Sequence, residues 1–89
     1  MSVSEQFAAN LLYLRKRSGY SQEELSYRAA LHRTNVGMLE RAMRMPRIDT
    51  LVKLAGALGV TAEELLDGIV WTPPEPATGS FEVSESPPT

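Results

Sequence analysis

Eighty-nine residues support one small domain, with a core close to the lower limit for independent folding. The absence of cysteine excludes disulfides and thiolate metal sites and suits a reducing cytoplasm, and no apolar run approaches the ~20 residues of a membrane span. The formal net charge of −2 argues at first sight against a polyanionic partner.

Taken in chain order, the residue pattern predicts five helices. The first runs from Ser4 as cap to Ser18, with Phe7, Leu11 and Leu14 as its buried stripe and Gly19 as a left-handed stop. The second spans about 21–29. Ser21 and Glu24 have the spacing of a capping box, Leu25 and Ala29 share one face, and the small Ser26 beside them lets another helix approach. The third spans about 32–42, with Val36 and Leu39 inward. The fourth starts after Asp49 as cap, turns Leu51, Leu54, Ala55 and Leu58 inward, and stops at Gly59. The fifth opens with a capping box from Thr61 to Glu64, points Leu65 and Leu66 inward and ends at Gly68.

Beyond residue 68 the composition changes. Five of the six prolines are Pro73, Pro74, Pro76, Pro87 and Pro88, and the β-prone runs Ile69-Val70-Trp71 and Phe81-Glu82-Val83 stand among them. One reading is a frayed tail that drops Trp71 onto the core. The other is that the two runs pair as strands, within one chain or between two. An isolated hairpin is marginal in water, so pairing needs support from the core or a second subunit. The cost of exposing Trp71 and Phe81 favours pairing.

The charge is unevenly spread. From Arg15 to Arg47 eight basic residues face three acidic ones, a local charge of +5, while Glu75, Glu82 and Glu85 make the tail acidic. A local basic face is what attraction to phosphate requires, whatever the net sign. The second and third helices, about three residues apart, have the layout of a helix-turn-helix, whose second helix lies in the DNA major groove. The exposed face of that helix carries Arg33, Thr34, Gly37 and Met38, flanked by Asn35 and Arg41, with no large apolar stripe.

Over roughly residues 5–67 the chain resembles the Cro/repressor-type (XRE) helix-turn-helix regulators. The matching residues are Leu14-Arg15, Gly19, Ser21-Gln22-Glu23-Glu24-Leu25, Ala29, Val36, Leu39-Glu40-Arg41, Pro46, Thr50-Leu51, Leu54-Ala55, Leu58-Gly59-Val60 and Leu65. The resemblance implies an all-α, five-helix lambda-repressor-like domain over residues 1–68, after which the extension 69–89 is read from its composition as a small β-hairpin or β-strand pair. It departs from the family at Ala30 and Ala42, where glycine is usual, and at Gly37, where a polar residue is usual. Ala30 is therefore expected at positive φ. Without glycine at 42 the third helix is expected to continue through Met43.

The side chains then suggest roles. Arg33 can fork onto guanine O6 and N7, Thr34 can meet a base edge or a thymine methyl, Met38 offers a thymine methyl an apolar contact, and Gly37 lets the helix approach. The resemblance gives Gln22 to a backbone phosphate, aided by the helix N-terminus. Asn35, Arg41 and Arg44 would add phosphate contacts that set register. His32 is either a helix cap or a phosphate donor, the cap being favoured. By the same resemblance Arg15 and Glu40 form a structural ion pair, which removes Arg15 from the DNA contacts. Met38, Met43 and Met45 read as core filling, with Met43 and Met45 also able to face a partner.

No nucleophile–base pair, glycine-rich phosphate loop or metal-ligand cluster is present, so the chain does not read as an enzyme and implies no cofactor or metal. The N-terminal residues have neither a basic leader nor an apolar signal core, so a cytoplasmic location and no membrane partner are expected. Two functions fit. One is a homodimeric, sequence-specific regulator of double-stranded DNA, read as a repressor, pairing through Ile69, Val70, Trp71, Phe81 and Val83. The other is an antitoxin or adapter that uses the tail to dock a protein partner.

Overall fold

A computed structural model of the chain describes residues 1–74 and 79–83. Five helices come first: α1 (Val3–Ser18), α2 (Gln22–Arg28), α3 (Asn35–Glu40), α4 (Ile48–Leu58) and α5 (Ala62–Leu65). Two strands, β1 (Ile69–Thr72) and β2 (Ser80–Val83), follow as an antiparallel hairpin with Ile69 opposite Val83 and Trp71 opposite Phe81. The tail thus pairs as strands within a single chain. The acidic residues Glu75 and Glu85, and Pro76, Pro87 and Pro88, lie outside the described residues.

Each helix buries one stripe. Phe7, Leu11 and Leu14 of α1, Leu25 of α2, Val36 and Leu39 of α3, Leu54, Ala55 and Leu58 of α4 and Leu65 of α5 meet in a single core. Leu11, Leu25, Val36, Leu54 and Leu65 are completely buried, so truncating one of these leucines to alanine costs about 2–5 kcal/mol. Gln6, Asn10 and Ser26 are polar residues fully buried in this interior. Gln6 donates to Asn10 at 3.0 Å, and Asn10 Nδ2 donates to the carbonyls of Leu65 and Asp67 at 3.0 and 2.9 Å. Asn10 therefore satisfies carbonyls at the end of α5 and ties that helix, and the strand after it, to α1.

Four expectations are corrected at the helix ends. The cap of α1 is Ser2, not Ser4: Glu5 stands three residues after Ser2 and completes a reciprocal box, whereas Phe7 stands three after Ser4. The cap of α4 is Arg47, and Asp49 sits in the first turn, where its carboxylate meets the helix dipole and the Arg47 guanidinium at 3.3 Å. At α2 only half of the box forms. Ser21 accepts from the Glu24 amide at 3.0 Å, but the Glu24 carboxylate turns to Arg28 at 3.0 Å. Leu66 is the C-cap of a four-residue helix and points outward, because one turn can aim only Leu65 at the core. The box between Thr61 and Glu64 is complete.

Four helices close in the same way. Gly19, Ala30, Ala42 and Gly59 all have positive φ (79°, 54°, 57° and 69°). In each case the following amide bonds back to the carbonyl five residues earlier: Tyr20 to Arg15, Leu31 to Ser26, Met43 to Met38 and Val60 to Ala55. This is the Schellman closure. Ala30 is left-handed as its position demands. Ala42 is left-handed as well, so α3 stops at Glu40 instead of running through Met43: the closure's two hydrogen bonds outweigh the steric cost of a Cβ.

Candidate nucleic-acid interface

The interface is built by α2, the turn after it and α3. The turn is set by Ala30 and by Leu31, which is half-buried against the core. His32 then organises the approach to α3. Its Nδ1 accepts the Thr34 amide at 3.3 Å and meets the Thr34 hydroxyl at 2.9 Å, and its carbonyl accepts the Asn35 amide at 2.9 Å. Because a backbone amide can only donate, Nδ1 is the acceptor nitrogen of this contact. The imidazole thus closes the turn that precedes α3 and caps none of the helix's own amides, and the Thr34 side chain makes no cap bond either. Regular helix begins three residues later than the expected His32, and Arg33 and Thr34 stand in the turn that leads into it.

The sequence-predicted base contacts separate into two settings. Arg33 and Thr34 are exposed, while Gly37 and Met38 lie half-covered within α3. Gln22, Arg33, Thr34, Gly37 and Arg41 line one notch of about 240 Å³ on this face. Asn35 is half-buried, and Arg44 stands exposed beyond the end of α3. Val36 and Leu39, on the opposite side, are fixed in the core. A neutral-to-basic surface on a helix anchored from behind can meet phosphates and base edges without rearranging.

A second anchor fixes the orientation of α3. Arg15 of α1 meets Glu40 of α3 twice, Nε to Oε2 at 2.5 Å and Nη2 to Oε1 at 3.0 Å, and donates through Nη1 to the Tyr20 carbonyl at 2.8 Å. Both side chains are almost wholly covered. The Glu40 carboxylate raises the already high Arg15 pKa, so the guanidinium is permanently charged there. Glu40 Oε1 also accepts from Gln22 Nε2 at 2.9 Å, so one carboxylate ties α1, α2 and α3 together. Such a pair adds orientation more than net stability.

Other cations are engaged away from this face. Arg28 bonds Glu24 and lies over the Tyr20 ring at 4.6 Å, and Arg17 lies over Tyr13 at 5.7 Å. Met43 and Met45 are exposed rather than core-filling, because α3 ends before it can carry them inward. Sequence reasoning missed the polar core pair Gln6 and Asn10, although their i, i+4 spacing beside Phe7, Leu11 and Leu14 was a usable signal.

The hairpin forms a separate surface. Ile69 packs on the core, and Trp71 and Phe81 touch edge-to-face with centroids 5.0 Å apart. Val70, Trp71 and Phe81 remain more than half exposed. Gly79 is required by this packing, since a Cβ there would stand 2.2 Å from Trp71 Cζ2. No helix among the described residues is long and apolar enough to cross a membrane.

Comparison with known proteins agrees with this architecture. A family model described as helix-turn-helix matches residues 11–65. The control protein C.BamHI of Bacillus amyloliquefaciens is 41% identical over 51 residues, which span 57% of this chain and 63% of that protein. The crystal structure of the restriction-modification controller protein C.AhdI of Aeromonas hydrophila superposes with a TM-score of 0.68 at 37% identity, over 70% of this chain and 94% of that one. The biofilm master regulator SinR, solved in complex with DNA, superposes with a TM-score of 0.66 at 31% identity, over 68% of this chain and 98% of that one. These relatives are regulators, not enzymes. The chain belongs to the helix-turn-helix family, of the Cro/repressor (XRE) type, and is a DNA-binding transcription regulator.

Proposed function

We propose that the chain is a homodimeric, sequence-specific repressor that reads the major groove with the turn and helix from His32 to Arg41. The observation that carries this reading is the fixed face of exposed Arg33 and Thr34 and half-covered Gly37 and Met38, locked from behind by Val36, Leu39 and the Arg15–Glu40 pair. Arg33 forks onto a guanine, and Thr34 and Met38 meet a neighbouring thymine methyl. Arg41, Arg44, Asn35 and His32 hold phosphates and set the register. Likeness to the restriction-modification controller protein C.AhdI favours the promoter of such a system as the target, and the cytoplasm is the place of action we assign.

The dimer is assigned to the hairpin. The domain comprises residues 1–68, and the extension supplies Val70, Trp71 and Phe81 as an apolar patch and two strand edges, with Ile69, paired to Val83, packed on the core. An exposed edge readily accepts another strand. A two-fold pair presents two recognition helices to half-sites about 34–36 Å apart. The test is selection of bound duplexes from a random library followed by footprinting. Recovery of an inverted repeat with that spacing is the expected result. Recovery of single, unpaired half-sites would remove the dimer from the reading, and recovery of no motif would favour the docking-adapter function instead.

A further inference from the structure

We infer that an apolar hollow on the outer side of α1 is the seat for the hairpin of a second copy, so that each protomer gives one Trp71–Phe81 pair and receives another; this rests on the homodimer reading above. Ala9, Leu12 and Tyr13 form the floor of the hollow, Lys16 and Arg17 close it, and its volume is about 630 Å³. Residues 9, 12, 13 and 16 stand at i, i+3, i+4 and i+7, so they share one face of the helix. That face is not the one buried through Phe7, Leu11 and Leu14, and Leu12 is exposed on it. Long basic side chains line such a surface with their alkyl stems and keep the charge at the rim. The Arg17 guanidinium lies over the Tyr13 ring at 5.7 Å, and neither Lys16 nor Arg17 makes an ion pair among the described residues.

The hairpin supplies the matching shape and charge. Its register puts Ile69, Trp71, Phe81 and Val83 on one face and Val70, Thr72, Ser80 and Glu82 on the other. The first face is wholly apolar. Its near end, Ile69, rests on the core, while its far end, Trp71 and Phe81, is more than half exposed. Two rings in edge contact are a rigid anchor of the kind that fills an apolar pocket on a partner. From Asp67 to Glu85 the sequence holds Asp67, Glu75, Glu82 and Glu85 and no lysine or arginine, whereas the last turn of α1 is basic. Opposite charges of this kind attract within about 10 Å at moderate salt. Glu82 is held by the Thr72 hydroxyl at 2.8 Å and lies on the face away from the rings, so it meets Lys16 and Arg17 at the edge of the contact, not beneath it. Both strands touch α1. Giver and receiver are thus neighbours on one helix, and a two-fold axis can satisfy both contacts at once.

The chain has no cysteine, so single introduced thiols report position without background. Full-length Lys16→Cys and Glu82→Cys chains, each alone and in an equimolar mixture, are to be treated with a short bismaleimide. Wild type and Leu12→Ser are to be compared by sedimentation, with melting temperatures measured alongside. Cross-linked dimers are expected in the mixture and in neither chain alone. Leu12→Ser is expected to keep its melting temperature and to weaken pairing by about tenfold or more. Cross-linking of Glu82→Cys with itself and none in the mixture would assign the hairpin patch to a second hairpin. Cross-linking of Lys16→Cys with itself and none in the mixture would assign α1 to a second α1. Either result overturns the inference, as does a Leu12→Ser chain that pairs as tightly as wild type. In these cases a wild-type dimer leaves the homodimer reading standing. A wild-type chain that stays monomeric at high micromolar concentration sinks both.

Discussion

At the scale of single residues, roles divide by what each side chain can exchange with DNA. Arg33→Ala is expected to cost about 1–3 kcal/mol of specific binding and to relax one base position. Arg44→Ala is expected to weaken all sequences alike and to lower the salt dependence by about one unit. Titration against the selected operator and a scrambled duplex at several salt concentrations separates the two. Unchanged operator affinity for Arg33→Ala would refute the proposed placement of the recognition helix. The left-handed alanines give a second expectation. A Cβ at positive φ costs roughly 1 kcal/mol, so Ala30→Gly or Ala42→Gly should leave stability unchanged or raise it, by at most about 4–8 °C in melting temperature for a domain of this size. Much of this was legible in sequence, since Ala30 stands where the family has glycine. Ala42 misled because a good helix former in place of glycine reads as continuation, and only the backbone reveals that Met43 bonds back to Met38.

At the scale of elements, ends carry more information than interiors. Apolar spacing located all five helices, and Gly19, Gly59 and the Thr61–Glu64 box marked ends correctly. The errors of two residues at α1 and α4 have one cause: Ser2 competes with Ser4, and Asp49 is as favourable in a first turn as at a cap. The recognition segment was drawn too long because His32 and Thr34 read as helix, whereas the imidazole and the Thr34 amide close a separate turn. The box at α1 has a pH dependence. Bonds from the Ser2 amide and hydroxyl hold the Glu5 carboxyl below the ordinary glutamate range. Its contribution is therefore complete above that range and is lost as pH falls through the lowered value. NMR titration should place the midpoint of the first-turn amides below that of an unstructured glutamate; a midpoint at or above it would mean the box is open in solution. At the other end of the chain, Gly79→Ala is expected to expel the Trp71 ring and to abolish the cross-strand proton contacts of Ile69 with Val83, while α1 to α5 keep theirs.

At the scale of the whole molecule, one core serves two surfaces. The recognition face is fixed through Glu40 and the hairpin through Ile69 and Asn10, and both anchors converge on α1. Pairing of the two β-prone runs was readable from the cost of leaving Trp71 and Phe81 bare, but the need for Gly79 was not, because it depends on where an indole ring comes to rest. Sedimentation is expected to give a dimer for the full chain and a monomer for a Trp71→Ser, Phe81→Ser variant with α1 to α5 intact. A full chain that stays monomeric at high micromolar concentration removes the hairpin from the assembly and leaves DNA to bring two copies together. Glu40→Ala is expected to unsettle both function and fold. It strands the covered Arg15 charge, at a cost of about 3–5 kcal/mol, and thermal unfolding would register that loss.

The chain's one tryptophan stands in the hairpin, half exposed and in edge contact with Phe81. Its emission is therefore a built-in optical reporter of that surface alone. Assembly would shift the indole to a drier environment and a bluer maximum, while occupation of the recognition face, which holds no tryptophan, would leave the colour unaltered unless the two events are coupled. Unlabelled protein, titrated once against itself and once against its operator, can thus distinguish a regulator that pairs before it finds DNA from one that pairs because of it.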